Sequence, residues 1–336
     1  MSEAGAIDVH AHCVPEELVL LMRSQGPEIG IELDESGALI EGRVRTLPLR
    51  EDLTDPVTRL EHMDRAGVEL QLLSSFIDLT AYALNPERGI TWARHVNEAL
   101  AHEAAKDSDR FMALATVPLQ APDAAAEELR YATKELGMVG VEIGTNVDGT
   151  DLITADLGVF WGEAARLSSF VLLHPVSPLP GIDLSAHFLH NSVGRPAEST
   201  IAISRLIFSG LFDRHPNLSV CVVHGGGFLP YQVGRLQRSF DAVPAAAARD
   251  LETPPSEVIR SLYFDTVLHS PQSLRFLIEV VGADRLLLGS DFPFEMGDPD
   301  PVRTLENVPD LTRDELEAIR SGNAHRLISA ATTAAA

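Results

Sequence analysis

IDVHAHCVPEE, Ile7 to Glu17, reads as a short strand, Ile7-Asp8-Val9, that ends in His10-Ala11-His12. Residues i and i+2 of a strand project to the same side. Both imidazoles therefore face one point in space. Neutral imidazole is the commonest protein ligand for a borderline transition metal. Two imidazoles do not hold such an ion alone, so a metal reading of the pair requires further ligands downstream.

Working outward, short β-branched or aliphatic runs alternate with longer helical patterns. Expected strands are Ala6–His10, Leu70–Ser74, Phe111–Val117, Val139–Ile143, Phe170–His174, Ser219–His224, Leu262–Asp265 and Arg285–Ser290. A helical pattern follows each of them, and proline stands near several helix starts, its favoured first position. Eight strands and eight helices is the count of a (β/α)8 TIM barrel, although a doubly wound sheet shares the alternation. Pro15 to Thr54 breaks the pattern and reads as a small insertion after strand one, with β-segments at Ile31-Glu32-Leu33 and Ala38-Leu39-Ile40. One domain, 1–328, is expected, followed by a small, polar, frayed tail over 329–336.

Barrel enzymes carry their chemistry at the C-terminal ends of the strands. Strand five ends VLLHP, placing His174 there. Strand six ends VCVVHGGG, placing His224. Strand seven ends YFDT, placing Asp265, and strand eight ends LLLGSDFPF, placing Asp291. Singly, each is ordinary: a strand-end histidine is usually a packing residue, and aspartate often caps a turn. Jointly, His10, His12, His174, His224 and Asp291 fall on one rim, which points to a metal site. Asp265 is expected to orient a neighbour from behind. His62, His95, His102 and His215 lie in helical patterns and read as surface or packing residues.

Composition excludes several classes. The 336 residues are 45% hydrophobic and 22% charged, an ordinary globular balance. A formal net charge of −23 opposes nucleic acid and anionic membrane surfaces as partners. No apolar run is long enough to span a bilayer. MSEAGAIDVHAH lacks the basic and apolar regions of a signal peptide. Two cysteines, Cys13 and Cys221, make no disulfide framework, so a reducing, cytoplasmic setting is expected. An anionic substrate would need arginines to supply a local positive field.

IDVHAH, LLHP, VVHGGG and LLGSDFPF together resemble the amidohydrolase superfamily in its metal-dependent decarboxylase branch. Longer stretches, LEHMDRAGVELQLLS, RFMALATVPLQAP, KELGMVGVEIGTNV and RPAESTIAISRLIFSG, are similar to the family of 2-amino-3-carboxymuconate-6-semialdehyde decarboxylases. The likeness runs from Ile7 to about Leu327. It implies one divalent metal, usually zinc with manganese as the alternative, held by His10, His12, His174 and Asp291. Three nitrogens and one carboxylate suit zinc and leave a position open. The second metal of some superfamily members needs a carbamylated lysine at the end of strand four. That strand here reads VGVEIGT, with Glu142 and no lysine, so one ion is expected. The resemblance makes His224 the acid/base, with Asp291 a second candidate for protonating carbon. It also implies Arg50 as a carboxylate-binding residue, Phe294 as an aromatic wall, and Arg235 as a residue reaching the neighbouring subunit's site in a homodimer.

The substrate-facing segments depart from the family pattern. AHFLHNSVGRPAEST replaces a stretch that carries pocket tryptophans, and RSFDAVPAAAARD lacks a further arginine. The expected activity is therefore non-oxidative decarboxylation of an aromatic or muconate-like carboxylic acid. The alternative is a hydrolase or hydratase (amide, ester or lactone cleavage, or C=C hydration) on the same scaffold, because fold and metal do not fix the reaction.

Overall fold

The computed structural model describes residues 5–34, 37–40, 43–44, 50–176 and 181–335. Eight parallel strands form one sheet in sequence order. They are β1 Ala6–Cys13, β2 Val68–Ser75, β3 Phe111–Ala115, β4 Gly140–Gly144, β5 Phe170–His174, β6 Ser219–Val222, β7 Tyr263–Asp265 and β8 Leu286–Leu287. β8 is only two residues long, yet the backbone around it closes the ring. Val9 N–H donates to Leu288 O at 2.9 Å, Asp291 N–H to His10 O at 2.7 Å and His12 N–H to Phe292 O at 2.8 Å. This is the expected TIM barrel.

The helices pack outside. α1 Pro56–Ala66, α2 Pro86–Ala105, α3 Pro122–Lys134, α4 Gly158–Arg166, α5 Arg195–Phe208, α6 Leu229–Ala242 and α7 Pro271–Val281 each follow one strand. Side chains satisfy several helix starts: Asp55 accepts from Val57 N–H and Thr58 N–H, Asn85 from Arg88 N–H and Ser270 from Ser273 N–H. Apolar residues sort into two layers. Ile7, Val9, Leu72, Leu114, Phe170, Leu172, Cys221, Val223 and Leu287 fill the barrel interior. The alternate residues, such as Leu73, Val171, Val220 and Leu286, pack outward against the helices.

α8, Asn323–Ala335, adds Ala324, Leu327 and Ala331 to the interior cluster. The segment expected to fray from Ser329 is thus helical to Ala335, because alanine favours helix and Ala331 is fully buried. In the insertion, Ile31–Asp34 pairs antiparallel with Gly37–Ile40, matching the β-segments read from sequence. The preceding helix, Glu16–Ile29, was not expected. Leu18, Val19 and Met22 bury one face of it and carry it past Gly26 and Pro27.

Candidate metal centre

All the strand-end residues singled out from sequence converge at the C-terminal mouth. His174 is the last residue of β5, continuing the inward series of Phe170 and Leu172. Asp291 extends the inward series Leu287, Gly289. Glycine at 289 spares a tight contact there, since a Cβ would lie 3.1 Å from the Cβ atoms of both His10 and Asp265.

β1 reaches the mouth by a less regular route. Asp8 pairs with Gln71 and Ala11 with Leu73, so three steps on β1 match two on β2. This extra residue is a bulge, a device that re-aims side chains beside functional sites. Below it, Ile7 and Val9 face the barrel interior. Above it, His10 and His12 do. Asp8 points the other way. It accepts from Ser290 Oγ (2.5 Å), Gln71 Nε2 (2.8 Å) and Ser290 N–H (3.0 Å). Buried Arg59 completes the clamp, donating to Gln71 Oε1 at 2.8 Å and to His12 O at 2.6 Å. These four residues tie the end of β1 to the segment carrying Asp291. Sequence reasoning missed them, since none is a ligand type at a strand end.

Second partners fix which nitrogen of each imidazole faces inward. His10 Nδ1–H donates to Asp265 Oδ2 (2.7 Å), His12 Nδ1–H to Ser75 O (3.0 Å) and His174 Nδ1–H to Pro175 O (2.9 Å). Arg195 also donates to Pro175 O at 2.7 Å, holding the loop after β5. The Nε2 lone pairs are left for the centre, the usual arrangement behind metal-binding histidines. His10 Nε2 and His12 Nε2 lie 3.4 and 3.2 Å from Asp291 Oδ1. All three atoms are buried without a hydrogen-bond partner. The His174 ring centroid lies 5.0 Å from that of His12 and 5.3 Å from that of His10. Orphaned nitrogens and a carboxylate oxygen around one point fit a cation and little else. The cluster is a single divalent-metal binding site.

The electrostatics agree. Burial opposes charge on His10, but Asp291 and Asp265 outweigh it and hold the ring's pKa up to about 9. Burial, reinforced by His12 and His10, pushes His174 well below the ordinary imidazole value. Burial opposes ionisation of Asp291, yet His10, His12 and His224 hold its carboxyl well below the usual range. The chamber has an excess of negative charge that a cation would balance.

The remaining candidates are placed as follows. His224, at φ 55°, opens a run of four residues with positive φ through Gly227, and its Nε2 lies 3.5 Å from Asp291 Oδ2. Its Nδ1 is buried without a partner. Asp265, fully buried, accepts from Gly225 N–H at 2.8 Å and so holds that turn as well as His10. Phe294 packs on His12 and Phe76, with ring centroids 5.3 and 5.4 Å away. Arg50 is engaged by Asp52 (2.8 and 3.0 Å) and by Glu295. Arg235 is exposed on α6 and has no ion pair among the described residues. Glu142 of β4 lies fully inside the chamber, where burial pushes its carboxyl up to about 7.

Comparison with known proteins supports this geometry. The amidohydrolase family model matches residues 7–329. A 2-amino-3-carboxymuconate-6-semialdehyde decarboxylase of Dictyostelium discoideum is 30% identical over 323 residues, 95% of this chain and 90% of that protein. A gamma-resorcylate decarboxylase of Rhizobium sp. strain MTP-10005 is 34% identical over 292 residues, 80% and 86% of the two chains. The crystal structure of a 2,6-dihydroxybenzoate decarboxylase from Rhizobium superposes with a TM-score of 0.79 at 27% identity, covering 97% of this chain and 98% of that one. With the strand-end histidines and Asp291 collected around one cation site on a closed barrel, the chain belongs to the amidohydrolase superfamily, in its decarboxylase branch.

Proposed function

We propose that the protein is a metal-dependent, non-oxidative decarboxylase of an aromatic carboxylic acid. The carrying observation is the convergence of inward imidazole nitrogens and Asp291 Oδ1, orphaned and buried, at the barrel mouth. The chain's likeness to decarboxylases of both muconate and resorcylate type supports the reaction class, and the resorcylate relative supports an aromatic acid.

In this reading His10, His12, His174 and Asp291 hold the ion. Three imidazoles and one carboxylate favour Zn2+, with Mn2+ the alternative. When bound, the ion supplies Lewis acidity toward the oxygens of the substrate. Loss of CO2 breaks a carbon–carbon bond, and the carbon left behind must gain a proton. His224 carries it: the imidazole stands beside Asp291 with its Nδ1 uncommitted. Asp291 is the other group in reach. Phe294, packed at a tilt against His12, offers an apolar wall to an aromatic ring. Arg50 binds the carboxylate once freed from Glu295, since the guanidinium fork matches carboxylate geometry.

Arg235 belongs to a homodimer reading, in which it serves the partner's site. Support comes from its lack of an ion pair and from exposed Tyr231, one turn before it on α6. Sedimentation that shows only monomer would remove this part. Among the described residues no helix is long and apolar enough to cross a membrane. Cys13 and Cys221, both buried and free, accord with a reducing, cytoplasmic setting.

The test is CO2 release over a panel of hydroxylated benzoic acids, muconate-type dicarboxylates, esters, lactones and amides. Release from an aromatic monoacid is expected. Cleavage of an ester, lactone or amide without CO2 would replace the proposal with a hydrolase.

A further inference from the structure

The three inward imidazoles are oriented by unlike partners. His10 Nδ1–H donates to Asp265, a carboxylate on β7, and His12 Nδ1–H to Ser75 O at the end of β2. His174 Nδ1–H donates to Pro175 O, the carbonyl of its own neighbour, at 2.9 Å. Pro175 lies past the end of β5. An acceptor in a loop orients a ring only as well as the loop itself is held.

Two side chains from the first turn of α5 hold this one. Arg195 donates to Pro175 O at 2.7 Å, so the carbonyl takes one donor on each lone pair. Glu198, three residues on and 7% exposed, accepts from Val176 N–H at 3.4 Å. The same Glu198 oxygen accepts from the Thr145 hydroxyl and, at 2.8 Å, from Asn146 Nδ2, both just past β4. Thr145 N–H returns to His174 O at 3.0 Å. Proline has no N–H. Every backbone polar group from His174 O to Val176 N–H therefore has a partner on the end of β4, on α5 or in the His174 ring. Residues three apart share a helix face, so Arg195 and Glu198 grip the loop from one side.

We propose that Arg195 and Glu198 are positioning residues for His174: by fixing Pro175 O they keep the imidazole proton on Nδ1 and the Nε2 lone pair aimed at the metal centre. The inference rests on the metal-centre reading above. Asp265 orients His10 with one side chain. His174 requires a clamp of two because its acceptor is backbone. With Pro175 O displaced, the proton is free to move to Nε2, and that nitrogen then no longer ligates.

NMR of metal-free protein with isotope-labelled histidine rings reports which nitrogen of each imidazole carries the proton, and His174→Gln identifies the His174 signals. Wild type is expected to hold the His174 proton on Nδ1. In Arg195→Met the form protonated on Nε2 should appear at His174, while the His10 signals, held by Asp265, stay unchanged. Zinc affinity by chelator competition should fall about 10- to 100-fold, the scale for removing a group behind a ligand. Arg195→Lys restores a donor and should recover most of that loss. An unchanged His174 signal in Arg195→Met, a wild-type His174 protonated on Nε2, or a zinc loss below about tenfold overturns the assignment. So do equal losses in Arg195→Lys and Arg195→Met, or a His10 shift as large as that of His174, which would mark general damage to the mouth. Glu198→Leu should move the same His174 signal, and a spectrum like wild type strikes Glu198 from the assignment. Should Arg195→Met fail to fold by circular dichroism, Arg195→Gln, polar but too short to reach Pro175 O, carries the same expectations. Wild type that binds no zinc would instead defeat the metal-centre reading itself, an outcome separate from the proton positions read in metal-free protein.

Discussion

Asp265→Asn tests whether a carboxylate behind the ligands decides which nitrogen of His10 faces the ion. Asp265 is fully buried and uses both oxygens. Oδ2 accepts His10 Nδ1–H at 2.7 Å, while Oδ1 accepts Gly225 N–H at 2.8 Å and Val267 N–H at 3.3 Å. Asparagine offers one oxygen where two are needed. If that oxygen serves Gly225, the amide NH2 faces His10 Nδ1, which must then accept. The proton moves to Nε2, and that nitrogen no longer ligates. If the oxygen serves His10, the NH2 opposes Gly225 N–H and displaces the turn that carries His224. Loss of such a partner typically costs 10- to 100-fold in metal affinity, about 1.4–2.7 kcal/mol. The assay is zinc affinity by chelator competition, with unfolding curves to confirm that the variant folds. Zinc affinity within about threefold of wild type, with unchanged turnover, would refute the reasoning.

Two further outcomes are expected. His224→Ala should keep its metal and lose roughly two to four orders of magnitude in turnover, the scale of a general acid/base; loss of the ion would make His224 a ligand instead. Beneath two half-exposed arginines, buried Glu163 accepts from Arg166 and Arg130, which hold its carboxyl down at about 2 against the opposing effect of burial. A depressed native value stabilises the fold above the unfolded value near 4.5 and loses that contribution as pH falls toward 2. Water around the half-exposed arginines screens the pair, so Glu163→Gln should cost about 1–2 kcal/mol in urea unfolding at neutral pH. The gap from wild type should shrink below about pH 4.5, and a gap independent of pH would count against the ion pairs.

Much of the barrel was legible because its signals are local. β5 matches its expected bounds, Phe170–His174, since a continuous apolar run needs no distant partner. Strand-end residues were legible for the same reason: the C-terminal end of a parallel strand is defined by its own run. Glu142 was noted only for not being lysine, because a glutamate inside a strand carries no sign of its surroundings. Arg59 reads as an ordinary helical arginine, and only the packing of α1 on β1 and β2 buries it against His12 O and Gln71.

The sequence by itself determined the order of strands and helices and the ligand types delivered to one rim, because hydrophobic period and strand-end position are properties of short segments. The tertiary structure alone decided how His10 and His12 reach the chamber. Alternation aligns them with each other, but it would place both opposite Ile7 and Val9, which fill the barrel floor. The bulge between Asp8 and Ala11 turns the histidines inward while leaving Asp8 outside to clamp Ser290 and Gln71. Its extra residue exists only relative to the register of β2, and register is a relation between two strands that neither strand encodes alone.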